Sequence, residues 1–306
     1  MFALCVAGCS IHPLPEDVTG RDFRTSEIVH HIRCEARAAI KSAIVDYFHH
    51  TGQHDLAEIA HRLKSGETPF EQFSQRIASL PEPARSNIVK YQNAAITYDF
   101  TFDITEQNTL GAEADVVSVF SRGVFSVGPK GTNDLQRQTV RIFRANDTFG
   151  ELMLIPSRRC TDDGSPENLL YPVAGTIGLA EMIETFVDLN QFQKLTGKEN
   201  KVPTLTDTFK FQTTFAGSVG PQVTLAPLGQ RTYLAGASVT AAAMRKDIHQ
   251  VIVALALPPP ARGASPSPSL LGGGPQRAPT TAIDQSNVAA DIAIQRSIIN
   301  KLGNSP

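Results

Sequence analysis

The chain has 306 residues, 41% of them hydrophobic and 19% charged, with a formal net charge of −2. That length holds one large domain or two ordinary ones with a real core, and the near-zero charge without a basic stripe excludes the electrostatic footprint of a nucleic-acid-binding protein. No apolar run reaches the roughly 20 residues of a membrane-spanning helix; "VIVALAL" at 251–257 is too short.

The N-terminus divides at Cys9. Small and apolar residues run up to it, and beyond it the chain turns polar, with Pro13, Pro15 and Gly20. The stretch Val6-Ala7-Gly8-Cys9 resembles the lipobox of bacterial lipoproteins, in which an apolar residue and two small ones precede the cysteine. The resemblance implies that the Cys9 thiol takes a diacylglycerol before the signal peptidase cleaves, so that Cys9 is the lipidated first residue of the mature protein. Two or three acyl chains then hold it to a membrane, since one chain binds only marginally. Secretory signals carry a positive start and an apolar stretch of about 7 to 15 residues. Here eight residues precede Cys9 and none is Lys or Arg, a truncated version of the pattern that places the expected start upstream. Ser10 follows the cysteine in place of the Asp that signals inner-membrane retention in that family. The resemblance therefore implies the periplasmic face of the outer membrane, with the inner membrane as the alternative, and residues 10–24 as tether. Of the four cysteines, Cys5 belongs to the signal and Cys9 to the lipid. Cys34 and Cys160 remain, either a disulfide in an oxidising compartment or two unrelated buried thiols.

From Thr25 to His50, Ile28, Ile32, Ala36, Ile40, Ala43, Ile44 and Tyr47 recur every three or four residues, predicting a helix with one apolar face. Ser26 is its expected N-cap and Gly52 its stop. A second helix is predicted over 55–63. "TPFE" at 68–71 signals a third, with Thr68 as cap, Pro69 at the first position and Glu71 closing a capping box. Pro81 and Pro83 break it, and a short helix follows over 84–91. Residues 25–93 thus read as a helical region.

At residue 95 the period changes to two. In "ITYDFTFDIT" (96–105), Tyr98, Phe100, Phe102 and Ile104 point one way and Asp99, Thr101, Asp103 and Thr105 the other, the pattern of an antiparallel strand with one wet face. Further strands are predicted at 116–121, 123–128, 138–145, 207–216, 222–227, 232–243 and 248–257, with an inserted helix within 176–196. "YDFTFDIT" and "FKFQTTFAG" share an aromatic alternation, and the segments 125–143 and 237–255 share a Ser-Val and an Asp followed by Leu or Ile. These likenesses suggest two duplicated helix-plus-meander modules; the plainer reading is that amphipathic strands resemble one another. The expected fold class is α+β: the helical region, an antiparallel, sandwich-like β-rich body over 94–257, and a C-terminal helix. A linker rich in Pro, Gly and Ser over 258–281, expected to be disordered, joins that helix to the body. In the helix at 282–306, Ser286 or Asn287 is the expected cap, and Val288, Ile292, Ile299 and Leu302 the apolar face.

Six of the eight histidines lie between residues 30 and 61. Glu27 with His30 and Glu58 with His61 form Glu-x-x-His units, the spacing of di-metal helical bundles, and His54, Glu58 and His61 line one helix face as a candidate zinc set. Against these stand the first-turn position of Glu27, which the helix dipole favours by itself, and the lack of further helical carboxylates. Solvated histidines are the ordinary reading, and no cofactor is expected. "AGSVG" (216–220) is not a Gly-x-Ser-x-Gly elbow, and "GPKGT" (128–132) lacks the Gly-Lys-Ser/Thr ending of a phosphate loop and reads as a hairpin turn. Asp99 and Asp103 are expected to face Arg137 and Arg141 of a neighbouring strand, as a ligand face or as cross-strand ion pairs. The function expected is a non-enzymatic lipoprotein, membrane-bound through Cys9, that binds or scaffolds an envelope protein and no nucleic acid. The alternative is a metal-dependent enzyme using the His-rich helices. A third reading closes the strands into a transmembrane barrel.

Overall fold

The computed structural model describes residues 13, 24–110, 115–117, 124–125, 133–160, 172–196, 202–219, 234–235, 241–258 and 282–303. The lipobox-like stretch expected at 6–9 with Cys9, Cys5, the segment 128–132, the strand expected at 222–227 and nearly all of the linker lie outside the described residues.

Four helices lead the described chain: α1 (Thr25–His50), α2 (His54–Lys64), α3 (Phe70–Gln75) and α4 (Ala84–Gln92). The β body follows, with β1 (Ala95–Leu110), β2 (Asp115–Val117), β3 (Val124–Phe125) and β4 (Asn133–Thr148). Then come α5 (Phe149–Met153), α6 (Leu179–Phe192), β5 (Thr204–Val219), β6 (Leu234–Ala235), β7 (Ala241–Ala256) and α7 (Ala282–Gly303). The class is α+β.

α1 buries Ile28, Ile32, Ala36, Ile40 and Ile44, one residue every fourth position, and ends its stripe on Phe48. Its start differs from expectation. The helix begins at Thr25 behind Arg24 without a side-chain cap, so Ser26 lies inside the first turn, and the Thr25 hydroxyl takes a hydrogen bond from Arg141 at 2.6 Å. Gly52 follows the helix in the left-handed region at φ +69°, as a stop requires. The capping box expected at α3 does not form: Pro69 precedes the helix, no side chain caps it, and Glu71 turns to Ser157 and Arg37 instead. A capping box does form at α5, where the Thr148 hydroxyl accepts from the Glu151 amide and the Glu151 carboxylate accepts from the Thr148 amide.

Four strands of 16 residues each make the main sheet, in the order β4-β1-β7-β5, antiparallel throughout. Ala95 faces Thr148 on one side and Ala256 on the other, and Ala256 faces Thr204, so the four strands are flush at this end. The segments expected as strands 232–243 and 248–257 contain one continuous strand, β7. The charged run Arg245-Lys246-Asp247 reads as a break but lies within it. A small sheet of order β3-β2-β6 repeats the order β4-β1-β7. β1 with β4 and β5 with β7 form two long hairpins, the segments whose likeness suggested a duplication. The first arm is inner in one hairpin and outer in the other.

One sheet face carries Tyr98, Phe100 and Phe102 of β1 with Val251 and Val253 of β7, packed with α1, α5 and α6 into the main core. Phe100 stacks on Phe143 of β4 with centroids 4.6 Å apart. Fully burying such a side chain contributes about 1.5–3 kcal/mol. The opposite face carries α7, whose Ala290 packs on Ile252 and Ala254. Among the described residues, the layers facing the sheet are helical.

Candidate functional site

His30, Arg33, Cys34 and Arg37 recur at helical spacing on α1 and all reach the segment 147–160. Arg33 donates to both carboxylate oxygens of Asp147, at 2.8 and 2.6 Å. Cys34 and Cys160 are joined as a disulfide with their Cα atoms 5.4 Å apart. The buried Arg37 donates to the Ile155 carbonyl at 3.0 Å, to Glu71 at 3.1 Å and to the Ser157 hydroxyl at 2.8 Å. The His30 ring donates through Nε2 to the Arg159 carbonyl at 2.8 Å. One helical stripe thereby fastens α1 to the end of the first hairpin.

Burial and mutual attraction act against each other on the titratable groups of this seam. The Asp147 hydrogen bond raises the Arg33 pKa against the opposing effect of burial. Burial pushes the Asp147 carboxyl above the usual carboxylate range, and Arg33 pulls against it. At Glu71 burial acts upward too, but the Ser157 hydrogen bonds and Arg37 outweigh it and leave the carboxyl below its ordinary value. Tyr98 lies fully buried nearby, and burial with the Asp147 charge drives its hydroxyl well above the ordinary phenol range. Glu35, also on α1, accepts three backbone amides, from Ile177 at 2.9 Å and from Gly178 and Leu179 at 2.8 Å each. A carboxylate from one helix thus satisfies the positive end of another, α6.

The expected metal sets fare differently. His54, Glu58 and His61 are all exposed on α2, whose buried face is Leu56, Ala60 and Leu63. Glu58 pairs with Arg62, and His54 stands in solvent 4.0 Å from Asp55. The structure does not gather these three around a common point, because nothing packs over that face of a one-sided helix. Nor do the Glu-x-x-His units meet, since the His30 ring serves the Arg159 carbonyl. Among the described residues, the side chains whose ligand atoms do gather are His30, Cys34 and Cys160, within 4.8 Å of one another. With the two sulfurs bonded to each other they are not thiolates, the form that ligates metal.

The proposed face of Asp99, Asp103, Arg137 and Arg141 is corrected by register. Asp99 lies opposite Arg144 and Asp103 opposite Val140, whereas Arg141 lies opposite Phe102 and Arg137 opposite Glu106. The two arginines therefore occupy the opposite face of the sheet from the two aspartates. Asp99 takes two hydrogen bonds from Arg144, at 2.8 and 2.6 Å, and Asp103 takes one from Gln138 at 2.7 Å. Arg144 also pairs with Asp291 of α7 at 2.5 Å, so this wet face is a docking face for the C-terminal helix. Thr97 joins it, its hydroxyl 2.7 Å from that of Ser286. The docked side of α7 is built of small residues, Ser286 and Ala290 being fully buried, while Val288 is exposed. Val288 of the expected apolar stripe is thus turned away, because only small side chains let a helix approach the sheet closely. Ser286 is not a cap, since the helix starts at Ala282.

Two features escaped the sequence. Glu106, Arg245, Asp247 and His249 form a buried charged group on the core face beyond Phe102. Arg245 donates to both Asp247 oxygens, at 2.8 and 3.1 Å, and to Glu106 at 3.1 Å. The Arg-x-Asp-x-His alternation of β7 was the available signal, readable only with the strand's register in hand. The second feature is an apolar cleft of about 490 Å³ between α1, α4, α5 and α6, lined among others by Ile44, Tyr47, Ile88, Tyr91, Met153 and Val187. Asn87 donates to the Tyr47 hydroxyl at 2.8 Å and Asn190 to the Tyr91 hydroxyl at 3.1 Å, leaving a polar rim around an apolar floor. Among the described residues no helix is long and apolar enough to cross a membrane.

Residues 12–264 match the protein family described as uncharacterised protein y4kA. Over 266 residues the chain is 34% identical to the uncharacterized protein y4kA of Sinorhizobium fredii (strain NBRC 101917 / NGR234), an alignment covering 83% of this chain and 80% of the relative.

Proposed function

The chain belongs to the family described as uncharacterised protein y4kA, and we propose that this member is a lipid-anchored envelope protein that binds or scaffolds another envelope component. In this reading acyl chains on Cys9 hold it to the periplasmic face of the outer membrane, and the α+β body presents its surfaces to a partner. The observation that carries the reading is the Cys34–Cys160 disulfide. Such bonds persist in oxidising compartments, the bacterial periplasm among them, and are rare where thiols are kept reduced. The lipobox at 6–9 points independently to the same compartment. It also lies outside the family match, which begins at residue 12, so anchor motif and body occupy separate stretches of chain.

Exchanging Cys9 for Ser tests the anchor. The natural protein should incorporate a labelled fatty acid, whereas Cys9→Ser, which offers no thiol for the diacylglycerol and so is not cleaved, should incorporate none. Equal labelling of both proteins, or of neither, contradicts the lipid anchor.

A further inference from the structure

Among the described residues the main sheet has two long open edges: β4 pairs only with β1 and β5 only with β7, and no strand lies on the outer side of either. No residue from 136 to 146 or from 204 to 217 is buried, and Val140 and Ile142 on β4 are 51% and 67% exposed. Neither strand contains a proline. Proteins ordinarily blunt such edges with short strands, prolines or bulges, because an edge is a row of unmet backbone donors and acceptors. Each strand here has 16 residues, spanning about 50 Å, where strands of 5–6 residues are usual. The main core takes β1 only from Ile96 to Phe102 and β7 only from Val251; beyond it the buried face carries Ile104 and the group of Glu106, Arg245, Asp247 and His249.

The two edges match each other. Every neighbouring pair in the sheet is antiparallel, so β4 and β5 run in opposite directions. Setting β4 of one copy beside β5 of the next, with the same face inward, therefore continues the antiparallel pattern. The strands are equal in length and flush at both ends. On the core face this brings Phe143 to the level of Phe209, and on the other face Ile142 to the level of Lys210, since all four residues share rows through β1 and β7. Self-pairing of β4 about a two-fold axis is worse, because it gathers Arg137, Arg141 and Arg144 of both copies on one seam, and like charges facing each other destabilise a sheet. It would also leave both β5 edges open.

We propose that β4 of one copy pairs with β5 of the next, head to tail, so that several copies close their sheets into one ring of strands. Closure removes every edge, as in barrels, and a head-to-tail interface forms a ring when its rotation closes. The inference goes beyond the proposed anchor and does not depend on it.

Variants of the full chain with one added cysteine test it. Ile142→Cys and Lys210→Cys are made separately, with Thr208→Cys and Gln212→Cys to accommodate a two-residue stagger, and treated with a short bismaleimide alone and in mixture. The unsubstituted chain sets the background, and its mass is read by sedimentation. The expected result is a multimer by sedimentation and a cross-linked dimer that forms only when Ile142→Cys is mixed with a β5 variant. A monomer overturns the proposal. So does a dimer formed equally well by one variant alone, or the lack of a mixture-specific dimer at all three β5 positions.

Discussion

His249 lies on the core face of β7 with its ring 4.7 Å from that of Phe102. Burial lowers its pKa to about 4, with Arg245 adding to the effect and Asp247 and Asp103 opposing it. An unfolded imidazole titrates near 6.5. Between pH 6.5 and 4 the unfolded chain therefore takes up a proton that the folded protein refuses. Stability falls as pH falls through that window, by about 3 kcal/mol in all, and is unaffected above it. The urea midpoint should drop between pH 7 and 4.5, and His249→Gln should flatten that drop; an equally steep decline in the variant contradicts the assignment. Glu35 makes a second test. Removing its carboxylate with Glu35→Ala leaves three amides at the start of α6 without their acceptor, at a cost of about 1–3 kcal/mol. Glu35→Gln keeps an acceptor oxygen and should cost less, and both values follow from denaturant titration. None of this is readable from the residues alone. Glu35 caps a helix that begins at Leu179, far along the chain, and Glu71 abandons its local cap for Arg37, because tertiary partners outcompete local ones.

Among the elements, those with a strong period were legible and their partnerships were not. α1 and β1 declare themselves because burial falls on one stripe of a helix and one face of a strand. The facing of Asp103 with Arg141 failed on a single unit of register, since Asp103 lies opposite Val140 and a one-residue change moves a side chain to the other face. β7 hid its continuity because a buried Arg-x-Asp pair looks like a turn. α7 hid its docking face because small residues carry no hydrophobic signal. That last point has a consequence. Ala290 is fully buried against the sheet, so Ala290→Arg should lift α7 away. Hydrogen exchange should then show protection lost across α7 while α1 and β1, which belong to the separate main core, keep theirs. Loss of protection throughout would mean that α7 is part of the core. Asp291→Ala should act far more weakly, since a partly exposed ion pair contributes under about 1 kcal/mol.

At the scale of the whole molecule, the architecture is a sheet between helical layers, stapled at one end. The Cys34–Cys160 bond spans 126 residues, and in the chain-entropy model a loop of that size stabilises by about 4–5 kcal/mol. The α+β class, the leading helices and the closing helix were all legible in the sequence, because periodicity changes from about 3.6 to 2 and back. The helical layers over the sheet were not, because sequence patterns mark a buried face without naming what covers it. The central claim, a lipid-anchored protein in an oxidising compartment, rests on Cys9, Cys34 and Cys160 together. Its most direct test is the intact mass of the protein isolated from its host's membranes without reducing agent. The account predicts a chain beginning at Cys9, heavier by a diacylglycerol with or without a further acyl chain, and lighter by two hydrogens for the disulfide. An unmodified chain retaining Met1, with Cys34 and Cys160 as free thiols, would contradict it.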